Sequence, residues 1–375
     1  MKKEIKLINF IELRYADPIS SMDLTNDYLL YGTMLGATKF YIINSKKLIS
    51  LSEIQDEFIS GVKINKNQLY ICIGDLKIIS YNVSTEINEE DLAADEINNY
   101  NDDDENHNKN CDNCLTMLNN YYLIRTFIDF PAEPKDQPVT KETDISIKNI
   151  FENKEIETKI NMSNYSVPFD YDGKNYIFID FIEKKKRSFN IYDISSEQDG
   201  KNSAKVEFII EDKFKNIKFG HISHLKIIKD DTLFIVRDYN ICEIRDFNLE
   251  LKKALNIKAQ EILAYDILFK DNDDENNENN ENNETNENNE NNENNDEDKE
   301  IAFIIILDLD ANVILYNYKE DKSDKLFNLE EDNLGIDKVI KEQRFFSFGY
   351  PYYIKFTNKY IAISSDYGCI LLQYS

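Results

Sequence analysis

Short runs of alternating apolar and polar residues fill most of the chain. Residues 222–228 read Ile-Ser-His-Leu-Lys-Ile-Ile and residues 313–318 read Val-Ile-Leu-Tyr-Asn-Tyr, and similar runs follow one another. A period of two, rich in β-branched and aromatic side chains, predicts half-buried β-strands. Helical spacing is almost missing. Its best window is 333–346, where Ile336, Val339, Ile340 and Gln343 fall at helical intervals. The pattern predicts an all-β chain.

The strands group into seven units of similar grammar. The first has strands over 19–25, 28–33, 39–43 and 48–51, with a turn at Gly36. The second has 59–64, 69–73 and 77–83, and is then interrupted. The third has 115–118, 121–127, 145–151 and 156–160, with a loop carrying Pro131, Pro134 and Pro138. The fourth has 167–171, 175–181, 188–194 and 206–210, and the fifth has 222–228, 232–236, 241–246 and 251–257. The sixth has 262–269, 301–307, 313–318 and 326–329. The seventh has only three strands, 352–356, 360–364 and 369–374, while one spare strand, 4–13, precedes the first unit. A ring accounts for both facts, because the spare strand completes the last sheet and leaves no open edge at the seam.

Charge then explains the interruptions. The formal net charge is −27, but it is concentrated in two tracts. Residues 271–300 hold fourteen acidic residues against one lysine, and residues 86–112 hold eleven against one. They carry −23 together, so the other 318 residues are close to neutral at −4. Both tracts are expected to be disordered acidic insertions, the second an Asn/Glu repeat with no apolar side chain to bury. Without them the chain has about 45 residues per unit, the length of a WD40 blade. The first tract follows a third strand and the second separates a first from a second strand. Both are therefore expected on one face of the ring. The other face would carry the Pro-rich loop at 128–142, the hairpin at 184–187 and the helix near 333–346, and is the expected binding face.

On these grounds the chain resembles the WD40-repeat family of seven-bladed β-propellers, over nearly all its length outside the tracts. The clearest repeat is the fifth, with Gly220-His221 before its first strand, Asp238 at its second hairpin and Arg245-Asp246 where the family has Trp-Asp. The fourth ends its third strand with Tyr192-Asp193. Tyr31-Gly32-Thr33-Met34-Leu35-Gly36 and Ser364-Ser365-Asp366-Tyr367-Gly368 resemble the family's small-residue hairpin. The resemblance implies that His221 and Asp238 belong to a hydrogen-bonded set that locks the blade. It implies structural roles for Gly220, Asp246, Asp193, Gly36, Asp366 and Gly368. No Trp-Asp pair occurs, and two stacked β-sandwiches are the structural alternative.

Candidate chemistry is sparse. Histidine occurs only at 107, 221 and 224, and no phosphate-binding glycine loop, His-Glu-x-x-His or Gly-x-Ser-x-Gly is present. His107, Cys111 and Cys114 supply three metal-type ligands where a structural zinc site needs four, so neither a metal nor another cofactor is expected. The only tight basic cluster is Lys184, Lys185, Lys186 and Arg187, a candidate for an acidic partner segment. The net charge argues against nucleic acid as a partner, and the longest apolar run, 301–307, is too short to span a membrane. Five cysteines and an opening without an apolar h-region point to a cytoplasmic or nuclear setting. The expected function is a non-catalytic protein–protein interaction scaffold, a single ring over 1–375 within a multiprotein complex. Its alternatives are a substrate-recognition subunit of a ubiquitin ligase, or a propeller hydrolase using channel carboxylates.

Overall fold

The computed structural model describes residues 5–12, 17–53, 57–74, 77–83, 94–99, 111–118, 121–128, 140–149, 155–163, 166–183, 186–194, 201–209, 221–229, 231–270, 300–331, 352–365 and 368–374. They form 28 strands in seven four-stranded sheets, every pairing antiparallel within the sheets. β1 (Ile5–Glu12) is held for the last sheet. The first sheet is β2 (Ile19–Leu24), β3 (Tyr28–Thr33), β4 (Ala37–Ile42) and β5 (Lys47–Glu53). The second is β6 (Ile59–Asn65), β7 (Gln68–Ile73), β8 (Lys77–Asn82) and β9 (Ala94–Asn99). The third is β10 (Cys111–Leu118), β11 (Tyr121–Ile128), β12 (Thr140–Asn149) and β13 (Glu155–Ser163). The fourth is β14 (Val167–Tyr171), β15 (Asn175–Glu183), β16 (Lys186–Asp193) and β17 (Lys201–Ile209). The fifth is β18 (Ile222–Lys229), β19 (Thr232–Arg237), β20 (Ile241–Asp246) and β21 (Leu251–Ala254). The sixth is β22 (Ile262–Phe269), β23 (Ile301–Asp308), β24 (Asn312–Asn317) and β25 (Lys322–Asn328). The last is β26 (Ile354–Phe356), β27 (Tyr360–Ser364), β28 (Gly368–Tyr374) and β1.

The first strands sit side by side around a common centre. β2 contacts β6, β6 contacts β10, β10 contacts β14, β14 contacts β18, β22 contacts β26, and β26 contacts β2. The remaining junction is made where a ring nitrogen of His224 on β18 meets the Ile262 carbonyl at the start of β22, 3.2 Å away. Each sheet thus has a first strand at the centre and a fourth strand at the rim.

Sequence pattern follows that gradient. Second strands are covered on both faces by neighbouring sheets, so they read as continuous apolar runs: Leu233 to Val236 on β19 and Ile304 to Leu307 on β23 are all fully buried. Rim strands need only hydrogen bonds to a third strand, and β21 is exposed or half-buried throughout. Among the described residues, six apolar clusters join adjacent sheets. Leu30, Phe40 and Ile49 meet Val62, Ile71 and Ile79 between the first and second sheets, for example. Across the seam, Ile11 and Leu371 meet Leu29 and Tyr41.

The spare N-terminal strand lies where the ring reading requires it. β1 runs antiparallel to β28, from Ile5 opposite Tyr374 to Glu12 opposite Gly368. The first acidic tract departs from expectation. Residues 94–99, inside 86–112, are β9, paired to β8 from Lys77 opposite Asn99 to Tyr81 opposite Ala94. β10 starts at Cys111, also inside the tract. The segment therefore supplies a rim strand to the second sheet and is not one disordered insertion. Residues 84–93 and 100–110, the second tract at 271–299, the Pro-rich loop at 129–139 and the helical window at 333–346 lie outside the described residues. No helix among the described residues is long and apolar enough to cross a membrane.

Candidate interaction face and central channel

His221 and Asp238 meet. The Asp238 N–H donates to the His221 carbonyl at 2.8 Å, and the His221 N–H donates to Asp238 Oδ1 at 2.9 Å. The turn between β19 and β20 is thereby tied to the segment that enters its own sheet. Other sheets use the same device with different residues. Ser163 donates its N–H and its hydroxyl to Asp180 Oδ1, at 2.9 and 2.7 Å, and the Tyr353 N–H donates to Ser364 Oγ at 2.7 Å. The contact with Asp238 runs through the His221 main chain, which leaves the imidazole to pack on Tyr239, with ring centroids 5.2 Å apart. Burial pushes the His221 pKa down, Arg187 adds to this, and Asp238 opposes it.

The other residues singled out from the sequence fall as follows. Asp246 Oδ1 accepts the N–H groups of Asn248 and Glu250, both at 2.9 Å, and so caps the turn into β21. Asp193 lies 3.8 Å from Lys174 Nζ. Gly36 adopts a φ of 89° in the turn between β3 and β4, a conformation glycine takes without a Cβ penalty. Gly368 serves close approach instead. A Cβ there would stand 2.3 Å from the Ile11 carbonyl oxygen on β1. Gly220, Asp366, Lys184 and Lys185 lie outside the described residues, as does His107. Lys186 is exposed, whereas Arg187 is half-buried, burial lowers its pKa, and it lies close enough to His221 and Tyr239 to shift or be shifted by them. Among the described residues no three His, Cys, Asp or Glu side chains gather as metal ligands. The buried thiols of Cys72, Cys242 and Cys369 are pushed up to about 12, so they stay protonated near neutrality.

Turns between second and third strands, and segments entering first strands, emerge from the same end of every sheet. Met34 and Leu35, Phe58, Val167, Tyr239 and Ile241 are all at that end and all exposed. They are six of the eight large apolar side chains exposed among the described residues, so the distribution is one-sided. Tyr239 is 47% exposed with a φ of 69°, a strained conformation for a bulky residue. Beneath it, Glu243 is almost fully buried and accepts from Arg237 Nε and Nη2 at 2.9 and 3.0 Å and from Arg245 Nε at 2.7 Å. Burial opposes its charge, but the two arginines outweigh that and hold its carboxyl below the usual range.

The centre of the ring carries a repeated charge pair that the sequence reading did not pick out. Asp23 on β2, Asp170 on β14 and Asp266 on β22 each accept the main-chain N–H of the next sheet's first strand. The donors are Ile64 at 2.9 Å, Ile227 at 2.6 Å and Phe356 at 3.0 Å. The residue before each donor is a lysine: Lys63, Lys226 and Lys355. Asp23 lies 3.3 Å from Lys63, and Asp266 lies 3.7 Å from Lys355. Each aspartate is thus a stitch between neighbouring sheets that also fixes the register of first strands. The available signal was Asp followed by an apolar residue on one first strand and Lys followed by an apolar residue on the next, three times over.

No protein-family model and no curated protein sequence matches the chain. Solved structures do. One is the WD40 β-propeller domain of Doa1, with 8% identity and a TM-score of 0.53, covering 99% of this chain and 97% of that one. Another is Raptor of Chaetomium thermophilum, with 11% identity and a TM-score of 0.53, covering all of this chain and 29% of that one. The chain has the β-propeller fold. At such identities the likeness is one of fold, and the site must be read from its own residues.

Proposed function

We propose that the chain is a seven-bladed, WD40-like ring acting as a non-catalytic protein-interaction scaffold, with the face that carries Leu35, Phe58 and Tyr239 as its docking surface. The seven four-stranded sheets and the pairing of β1 with β28 support the blade count. The observation that supports the function is the one-sided exposure of apolar side chains, six of the eight among the described residues lying at one end of the sheets. Tyr239 strengthens it: strain at an exposed aromatic persists only where the surrounding structure enforces it. Lys186 and Arg187, which open β16, lie at the same end of their sheet. The channel aspartates support binding over hydrolysis, because each already accepts a main-chain N–H.

The test is affinity purification with the full chain and two surface variants. Leu35→Ser with Tyr239→Ser should lose the partners of the parent, and Leu48→Ser with Leu251→Ser, near the other ends of the sheets, should keep them. Identical partners for all three would refute the assignment of this face. Partners that include ubiquitin-ligase components would make the scaffold a substrate-recognition subunit.

A further inference from the structure

A cavity of about 300 Å³ opens on the central channel where β14, β18, β22 and β26 converge. That is the lower end of the range for small-molecule sites. Its wall is mixed: Phe169, Leu263, Tyr265 and Tyr353 give it apolar and aromatic surface, and Asp170, Asp266, Lys355 and, from β18, His224 and Lys226 give it charged and polar groups. The charges around it are not equivalent. Lys355 has Asp266 at 3.7 Å, and across the channel Lys63 has Asp23 at 3.3 Å. Among the described residues, Lys226 has no carboxylate within the 4.0 Å of an ion pair. Of the nearest acids, Asp170 accepts the N–H groups of Ile227 and Tyr171, and Asp266 accepts that of Phe356 and faces Lys355.

We propose that this pocket binds a small monocarboxylate on an aromatic or aliphatic body, with its carboxylate on Lys226 Nζ and its body against Phe169, Tyr265 and Tyr353. Lys226 is half-buried at the pocket and has no contact ion pair among the described residues, so an anion there gains a direct charge-assisted hydrogen bond. Burial lowers the Lys226 pKa, Asp266 and Asp170 oppose this, and Lys355 and Lys63 add to it. The carboxylates of Asp170 and Asp266 line the same pocket, so a dianion would be repelled more strongly than a monoanion. His224 supplies no second cation: burial pushes its pKa down, and its ring nitrogen is engaged with the Ile262 carbonyl. Inorganic phosphate, partly dianionic near neutral pH and with no apolar body to place against Phe169, Tyr265 and Tyr353, fits less well than an acid of benzoate type.

Calorimetric titration of the full chain with sodium benzoate at neutral pH tests this. One saturable site is expected, weakened at least tenfold by Lys226→Met and unchanged by Lys322→Met at an exposed rim position. An equal concentration of inorganic phosphate should not displace benzoate. Should Lys226→Met fail to fold, the melting temperature of the parent chain should still rise with benzoate and not with phosphate. No saturable benzoate binding, equal binding by Lys226→Met, or displacement by phosphate would each overturn the proposal.

Discussion

In the fifth sheet, four strands follow one another within residues 222–254; in the last sheet, β26, β27 and β28 are joined by a strand from the opposite end of the sequence. Their second strands are packed alike, with Leu233 to Val236 and Ile361 to Ile363 fully buried. Both also carry short-range polar contacts, Tyr353 to Ser364 in the last sheet, but their fourth strands are secured differently. The fifth sheet holds its own edges with short-range polar contacts: Asp238 to His221, Asp246 to its turn, and Glu243 between two arginines. The seam rests on main-chain pairing and on Ile11 and the partly buried Ile8 and Phe10, with Gly368 letting β1 approach. A blade core is thus interchangeable around the ring, while closure depends on residues that meet only when the ring is complete. Loop-closure entropy opposes that meeting, so the seam is the more vulnerable region.

Three perturbations would sharpen this contrast. Deleting residues 5–12 should cost on the order of 5 kcal/mol, from lost apolar burial and an exposed β28 edge. A truncated chain that melts like the parent would remove the contrast. Gly368→Ala should cost roughly 1–3 kcal/mol, because the new methyl must displace the Ile11 carbonyl; denaturant unfolding would show it as a lower midpoint at unchanged slope. Glu243→Gln in the fifth sheet should cost about 1–2 kcal/mol near neutral pH, and the loss should depend on pH. The Glu243 pKa is lower in the fold than its ordinary 4.5, so its contribution is present above that value and fades as pH falls through the lowered one. Parent and variant stability should therefore converge in acid. A constant gap would show that the carboxylate charge is not what the arginines hold.

Much of this arrangement was legible in the sequence, for physical reasons that also explain the rest. First, second and third strands advertise themselves, because burial on one or both faces demands apolar residues at fixed spacing. Rim strands do not. Residues 94–99 read Ala-Asp-Glu-Ile-Asn-Asn, and only pairing with β8 makes them a strand. The spare strand before the first unit was readable as a closure because a count exposed it. Of the locking set, Asp238 and His221 were placed together by their resemblance to a known repeat, but the bond through the His221 main chain needed coordinates. The channel escaped notice for a different reason. A single Asp or Lys on a first strand is what any half-exposed strand shows, and Asp23, Asp170 and Asp266 gain meaning only beside Ile64, Ile227 and Phe356 of the next sheet.

The pairing at the seam can be tested at one residue pair. Lys6 on β1 and Gln373 on β28 are opposite one another and both exposed. Directly opposed positions of an antiparallel pair lie within disulfide reach. Cysteines at these two positions, mildly oxidised, should cross-link within single chains, leave the protein monomeric and raise its melting temperature. Failure to cross-link, or links formed only between chains, would contradict closure of the ring by its own first strand.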